Sequence, residues 1–133
     1  MNKIKEKVKD FITLPAIHIG AKLSVFDACA RMKKHKVGYI LVSEGRDFVG
    51  IFTEADLLTK VVAQNELPDS TPIVKVMTKE LLYIDSESSM VAAFLKMQIK
   101  NIRHLVVKED QNIVGVLSIK DVGKFYVNKF STP

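Results

Sequence analysis

The heptapeptide GIFTEAD, residues 50–56, returns 65 positions later as GVLSIKD, residues 115–121. Each copy holds a glycine, two apolar residues, a hydroxyl residue and, three positions further on, an aspartate. The apolar residues suit the end of a buried strand, and a hydroxyl residue followed three positions later by an acid is typical of a helix N-terminal capping box. Both copies therefore predict a strand that runs directly into a helix.

The repeat extends outward from this heptapeptide in one ungapped register over about 45 residues. Chance would not keep so many matching pairs in a single register, so the chain is a tandem duplication of one unit. The identical pairs include Thr13/Thr78, Ile19/Ile84, Ser24/Ser89, Ala28/Ala93, Met32/Met97, Val42/Val107 and Glu44/Glu109.

A stretch rich in turn-forming residues, NELPDSTP, separates the two copies. We predict a first repeat over residues 8–64, a linker over 65–72 and a second repeat over 73–130. Alternating and helical apolar patterns predict strand, helix, strand, strand and helix in each copy. Since one such unit cannot cover both faces of its sheet, the paired copies predict an α/β (α+β) fold. The predicted elements are 16–19, a helix from residue 24, 39–42, 48–52 and 54–64, then 81–84, a helix from residue 89, 104–107, 113–117 and 119–129.

Composition narrows the class of protein. The chain has 133 residues, 47% of them apolar, and its only cysteine is Cys29. No apolar run approaches the roughly 18 residues of a membrane span, and the charged N-terminus does not resemble a signal peptide, so a cytoplasmic location is expected. The net charge of +5 lies mostly at the two ends of the chain. The alternative function is that of a nucleic-acid-associated protein or of a purely protein-interaction module with unoccupied clefts.

The hydroxyl and acid of each heptapeptide permit two interpretations. They can serve only as a helix cap, or they can form a nucleotide clamp. A helix N-terminus has free N–H groups that suit phosphate, and an aspartate can accept hydrogen bonds from both hydroxyls of a ribose. The preceding glycine lets another backbone or a flat ligand approach closely. The candidate residues are Thr53, Asp56, Ser118 and Asp121.

These motifs resemble those of the CBS domain family, whose tandem pairs are called Bateman modules. The resemblance rests on Val76-Met77-Thr78, on the two copies of G-h-h-[ST]-x-x-D and on the apolar strand that follows Arg103-His104. It covers residues 11–126, nearly the whole chain. One departure is that the strands after the long helices lack the proline and the acid that family members often carry.

The resemblance implies two repeats packed as a pseudo-two-fold pair with two clefts for an adenine nucleotide, S-adenosylmethionine or a cyclic dinucleotide. Asp56 and Asp121 would then hold ribose, and Thr53 and Ser118 would approach phosphate. The early strands, near Thr13 to Ile17 and Thr78 to Leu82, would line the adenine. His104 has two interpretations, as a phosphate contact or as a solvated strand histidine.

A regulatory rather than catalytic role follows. No acid, base or nucleophile accompanies the duplicated clamp, and His18, His35 and Cys29 lack metal-ligand spacing, so neither a catalytic cofactor nor a metal is expected. A chain of this length leaves no room for an effector domain, so the expected partner is an unidentified effector protein or a second copy. The resemblance implies a homodimer formed through helices. The apolar residues predicted to be free for it are Leu57, Leu58, Val61, Val62, Val122, Phe125 and Tyr126.

Overall fold

The computed structural model of the chain describes residues 6–12 and 15–131, which fall into two compact units. One unit, called here the contiguous unit, runs from Ile17 to Leu81. The other, the split unit, combines the described residues up to Ala16 with those from Leu82 onward. Each unit therefore contains most of one repeat together with the beginning of the other.

The contiguous unit is built on a three-stranded sheet. Strands β1 and β2 are parallel, β2 and β3 are antiparallel, and the order is β1-β2-β3. A 3₁₀ turn, Pro68–Ser70, precedes a short helix that sequence reasoning did not predict. The elements are β1 (His18–Gly20), α1 (Val25–His35), β2 (Tyr39–Glu44), β3 (Asp47–Thr53), α2 (Glu54–Asp56), which continues as a π-helix over Leu57–Val62, and α3 (Ile73–Val76).

The split unit repeats this plan with strand order β4-β5-β6 and the same pattern of parallel and antiparallel pairing. Its register matches the sequence repeat, since Ile19 pairs with Val42 and Ile84 pairs with Val107. A 3₁₀ turn, Val8–Asp10, belongs to this unit. The remaining elements are β4 (Tyr83–Asp85), α4 (Met90–Lys100), β5 (His104–Glu109), β6 (Asn112–Ser118) and α5 (Ile119–Phe130).

The two long helices begin and end in the same way. The hydroxyls of Ser24 and Ser89 accept hydrogen bonds from the amides three residues later, at 3.1 and 3.0 Å, and so cap α1 and α4. Both helices end at a residue in the left-handed conformation, Lys36 with φ of 56° and Asn101 with φ of 52°. The predicted mixed fold of two strand-helix-strand-strand-helix repeats is confirmed.

Each unit has its own hydrophobic core between sheet and helices. The buried side chains repeat at the predicted helix positions, with Ala28 and Met32 in one unit and Ala93 and Met97 in the other. The segment before the first repeat's strand adds Val8 to the split-unit core, and α3 adds Ile73 to the contiguous-unit core. The beginning of each repeat is thus part of the core of the unit formed mainly by the other repeat.

Several predicted boundaries are wrong by a few residues. The first strand of each copy begins two residues later than predicted, because Ile17 and Leu82 supply only a carbonyl to the sheet. These carbonyls accept hydrogen bonds from Leu41 N and Val106 N, each at 2.9 Å. The hairpin strands are longer than predicted, because each ladder continues at one end to the turn and at the other end to the hydroxyl residue that precedes the last helix.

The last helix of the first copy is not the regular α-helix that was predicted over 54–64. After Asp56 the backbone widens into a π-helix, with hydrogen bonds from Ala63 N to Leu58 O and from Glu66 N to Val61 O, both 2.9 Å. The prediction that seven apolar residues are free for association is also wrong in part. Val61, Val122 and Phe125 are buried because they serve the cores, whereas Leu58 and Val62 are each 63% exposed.

Candidate functional site

The first candidate site is built around the carboxylate of Asp56, which lies in the first turn of α2 and is 6% exposed. Its Oδ2 atom accepts hydrogen bonds from the amide of Thr53 at 3.0 Å and from the hydroxyl of Thr53 at 3.3 Å. The acid thus ties the end of β3 to the start of the helix, as the cap interpretation requires.

The other oxygen of Asp56, Oδ1, meets two further donors. The hydroxyl of Thr78 donates to it at 2.9 Å, and the ammonium group of Lys60 lies 3.0 Å away. Lys60 Nζ also lies 3.2 Å from Thr78 Oγ1 and 3.5 Å from the carbonyl oxygen of Met77. We call Thr53, Asp56, Lys60 and Thr78 the Asp56 cluster.

Thr78 reaches the Asp56 cluster because its backbone pairs with β3. Thr78 N donates to Ile51 O at 2.8 Å, and Ile51 N donates to Thr78 O at 2.9 Å. Gly50 permits this approach, since a Cβ there would lie 2.5 Å from Met77 Sδ and 2.9 Å from Thr78 O. The glycine of the first heptapeptide therefore accommodates another backbone, one of the two possibilities considered from the sequence.

The second candidate site lies at the start of α5, in the split unit. Asp121 Oδ2 accepts hydrogen bonds from the amide and the hydroxyl of Ser118 at 2.8 and 2.9 Å, and Asp121 N donates to Ser118 Oγ at 3.2 Å. This is a complete reciprocal cap. Within residues 6–12 and 15–131, no hydrogen bond reaches the other oxygen, Oδ1.

His104 lies beside the second site, because it pairs with Ser118 across the β5–β6 ladder. Burial lowers the pKa of this histidine to about 4, although the nearby carboxylate of Asp121 acts in the opposite direction and Arg103 adds a smaller lowering effect. At neutral pH the imidazole is therefore uncharged. His104 is partly exposed on strand β5, and its two interpretations, as a phosphate contact or as a solvated strand histidine, both stay predictions.

The remaining predicted site residues lie elsewhere. Ile17 precedes β1 and packs on the contiguous-unit core, at the sheet edge opposite β3, which carries Thr53. Leu82 has the equivalent place before β4 in the split unit. Thr13 lies outside the described residues. In the contiguous unit the structure therefore joins Thr53, Asp56 and Thr78, and it leaves Ile17 outside that cluster.

Sequence reasoning missed Lys60 altogether. Its position four residues after Asp56 on a predicted helix is the spacing of a favourable ion pair, and that spacing could have identified it. The repeat gave a second signal, because the equivalent residue in the other copy is the apolar Phe125. A lysine at a position that the other copy uses for its core indicates a local difference between the two sites.

The described ranges, 6–12 and 15–131, lack both a candidate metal site and a candidate membrane-spanning helix. They contain no group of three or more His, Cys, Asp or Glu side chains placed to hold a metal ion. In the same ranges, no helix has the length and apolar character needed to cross a membrane.

Comparison with known proteins identifies the family. The model of the CBS domain matches residues 8–63 and again residues 73–128. The Arabidopsis thaliana protein CBSCBSPB2 is 34% identical over 113 residues, which are 84% of this chain and 21% of that protein. The chain therefore spans about a fifth of that relative's length. YhcV from Bacillus subtilis is 30% identical over 124 residues, 93% of this chain and 86% of the relative.

Solved structures of CBS-domain proteins superimpose on this chain. The CBS-domain protein ATU1752 from Agrobacterium tumefaciens is 26% identical and superimposes with a TM-score of 0.87 over 95% of this chain and 97% of its own. The CBS domain pair of protein MJ0100, solved with 5′-methylthioadenosine and S-adenosyl-L-methionine, is 25% identical, with a TM-score of 0.82 over 92% of this chain and 97% of that one. The duplicated heptapeptides, the two matching sheets and these relatives together show that the chain belongs to the CBS domain family.

Proposed function

We propose that this chain is a regulatory module that binds an adenine nucleotide or S-adenosylmethionine and passes the signal to a partner protein. The observation that carries the proposal is the carboxylate of Asp121, whose Oδ2 is fixed by Ser118 and whose Oδ1 accepts no hydrogen bond from the residues that the structure describes. The likeness to the MJ0100 domain pair, which was solved with two adenosine-containing ligands, supports the ligand class.

The residue roles in this proposal follow from the chemistry of the clamp. Asp121 and Asp56 accept hydrogen bonds from ribose hydroxyls, and Thr53 and Ser118 lie at the helix N-termini whose backbone amides suit phosphate. His104, which pairs with Ser118 across the β5–β6 ladder, is the further candidate for a phosphate contact. Thr13, Ile17, Thr78 and Leu82 remain a prediction for the adenine wall, with Thr78 also bonded to Asp56.

The proposal assigns no catalysis to the module. A ligand that binds the native chain and not the unfolded chain stabilises the native state. A receiving protein then responds to the change in conformation or stability. We further propose that the module works as a homodimer and that its receiver is a separate effector domain or protein. The exposed apolar residues on the last helix of each repeat support the homodimer.

A thermal-shift panel tests the proposal directly. AMP, ADP, ATP, S-adenosylmethionine, cyclic di-AMP and NAD are each added to the wild-type chain at millimolar concentration. A ligand at 100 times its dissociation constant stabilises by about 2.7 kcal/mol, which for a chain of this size raises Tm on the order of 10 °C. GTP at the same concentration is the control for nonspecific effects of a triphosphate.

A shift with at least one adenine ligand and none with GTP is the expected result. A panel without any shift would contradict the nucleotide function and leave the nucleic-acid or protein-interaction alternative. A gel-shift series at rising salt would then identify nucleic-acid binding by its steep salt dependence.

A further inference from the structure

The carboxylate of Asp56 has its hydrogen-bonding capacity filled by the protein itself. An ionised carboxylate offers about four lone-pair directions on its two oxygens. Those of Asp56 meet the amide and hydroxyl of Thr53 at Oδ2 and the Thr78 hydroxyl and Lys60 ammonium group at Oδ1. A ribose brings two hydroxyl donors, so it can bind this carboxylate only after a present donor has left.

Lys60 is the donor that differs between the two copies. Its counterpart 65 positions later, Phe125, is 3% exposed and belongs to the core of the split unit. Its ring lies edge-on to Phe11 with a centroid distance of 5.2 Å. The helix that carries Asp121 thus has an apolar core residue where α2 and its extension carry a cation. Both carboxylates accept hydrogen bonds from the hydroxyl residue three positions earlier, and Asp56 in addition has an ammonium group against its other oxygen.

The position of Lys60 allows it to leave. Its side chain is 42% exposed, while that of Asp56 is 8% exposed, so the ion pair joins a buried acid to a lysine that is partly in solvent. Such a lysine loses little when it returns to water, because its ammonium group is rehydrated. Lys60 also lies in the π-helical stretch Leu57–Val62, and π turns inside helices are frequent at functional sites.

We propose that Lys60 is an internal competitor of the nucleoside at Asp56 and makes the two sites of this module unequal. The inference rests on the proposed function, because it concerns the same two carboxylates. Asp121 receives the ribose hydroxyls on Oδ1 without prior rearrangement. Asp56 receives them only when Lys60 moves away, so the Asp56 site binds the same nucleotide more weakly and fills second.

Isothermal titration with AMP tests this order of filling. The wild-type chain is compared with Asp121→Asn and with Asp56→Asn. We expect the tighter AMP site to be lost in Asp121→Asn and to persist in Asp56→Asn. A tight site that persists in Asp121→Asn and disappears in Asp56→Asn would overturn the inference and leave the nucleotide function intact.

The role of Lys60 is then isolated in the Asp121→Asn background, where only the Asp56 site remains. Replacing Lys60 with Met removes the competing ammonium group and keeps an unbranched side chain of similar length. AMP affinity should rise roughly fivefold, the factor that corresponds to the upper range of such an ion pair. Lys75→Met is the matched control, because Lys75 lies in the same unit and pairs with Glu66, not with Asp56.

An affinity that is unchanged or lower in Lys60→Met would overturn the inference, the lower value meaning that Lys60 binds phosphate. If Lys60→Met does not fold, Lys60→Gln serves in its place, with the same expected direction. Failure of the proposed function gives a different result, since the wild-type chain would then bind no member of the ligand panel. If another ligand of the panel binds and AMP does not, the same titrations are made with that ligand and carry the same expected and contradicting results.

Discussion

His104 makes the stability of the protein depend on pH. Burial holds its pKa at about 4 in the folded chain, against 6.5 for an ordinary histidine, so the unfolded chain binds more protons between these values. The contribution of His104 to the free energy of unfolding should therefore be fully present above pH 6.5 and be lost as the pH drops towards 4. A shift of this size corresponds to at most about 3 kcal/mol.

Urea unfolding at pH 7.0, 6.0 and 5.0 measures this loss, which should be clearly smaller in His104→Gln. His35→Gln is the control, because His35 is exposed at the end of α1. Hydrogen bonds from Lys7 and Lys9 lower the pKa of Glu87 to about 2, so any contribution of Glu87 to stability is present above its ordinary pKa of 4.5 and is lost only below it, outside the measured range. Equal pH dependence in wild type and His104→Gln would show that His104 is not the source of the loss of stability.

The candidate sites were predictable at the level of single residues only where the contacts are local. Thr53 and Asp56, like Ser118 and Asp121, lie within one helical turn, so the spacing alone indicates their hydrogen bonds. The contact between Thr78 and Asp56 joins residues 22 apart and depends on the pairing of Thr78 with Ile51, which no spacing rule indicates. The ligand-binding roles of all these residues stay a prediction.

Among the strands, β3 can lie against the Thr78 segment because residue 50 is a glycine. An alanine there would place its Cβ 2.9 Å from the backbone oxygen of Thr78, which cannot rotate away as the Met77 side chain can. Gly50→Ala should therefore destabilise the chain by about 1–3 kcal/mol. Because the same shift would move Thr78 away from Asp56, AMP binding at the Asp56 site should change as well.

Chemical denaturation checks this prediction against Gly20→Ala. Within the described part of the chain, no atom lies within 4 Å of a Cβ built at Gly20, which is also a strand glycine. We expect that variant to change the free energy of unfolding by about 0.5 kcal/mol or less, or to gain stability through a stiffer unfolded chain. A loss at Gly50 no larger than that at Gly20 would show that β3 and the Thr78 segment separate without cost.

Elements were predicted well in type and less well in extent. Period-2 and helical patterns indicated both hairpins and the helices α1, α4 and α5, because these have one buried and one open face. The π-helix escaped prediction, since its buried Val61 and exposed Leu58 and Val62 also suit a regular helix. The four-residue helix α3 is too short for its apolar residues to show a period.

Over the whole molecule, exposed apolar side chains predict self-association. Leu58 and Val62 after α2, and Val127 and Phe130 on α5, are between 63% and 68% exposed. Surfaces of this kind are typical of interfaces, and a symmetric homodimer is the commonest closed arrangement. We expect sedimentation velocity at tens of micromolar to show a dimer.

The double variant Leu58→Glu, Val62→Glu should sediment as a monomer, because charges in an apolar interface are costly to bury. Leu67→Glu is the control, since Leu67 is equally exposed, at 66%, and lies outside that helix. A wild-type monomer, or equal disruption by the control, would remove the proposed dimer.

The repeat boundaries, 8–64 and 73–130, stay a prediction, and the compact units follow a different division. An internal repeat reports where similar residues recur, and it does not report which sheet each segment joins. Val8 belongs to the core formed mainly by the second repeat, and Ile73 to the core formed mainly by the first. Sequence similarity alone could not indicate this exchange of initial segments.

The division into a contiguous and a split unit sets an order of events during translation. The ribosome delivers residues 17–81 in one stretch, so that unit can fold while the rest is still being made. Val8 and Phe11 emerge earlier, yet Phe125, which Phe11 contacts, is made more than a hundred residues later. At 5–20 residues per second, these two apolar residues wait on the order of 10 s for their partners. The segment that carries Val8 and Phe11 thus leaves the ribosome before the contiguous unit and is buried after it.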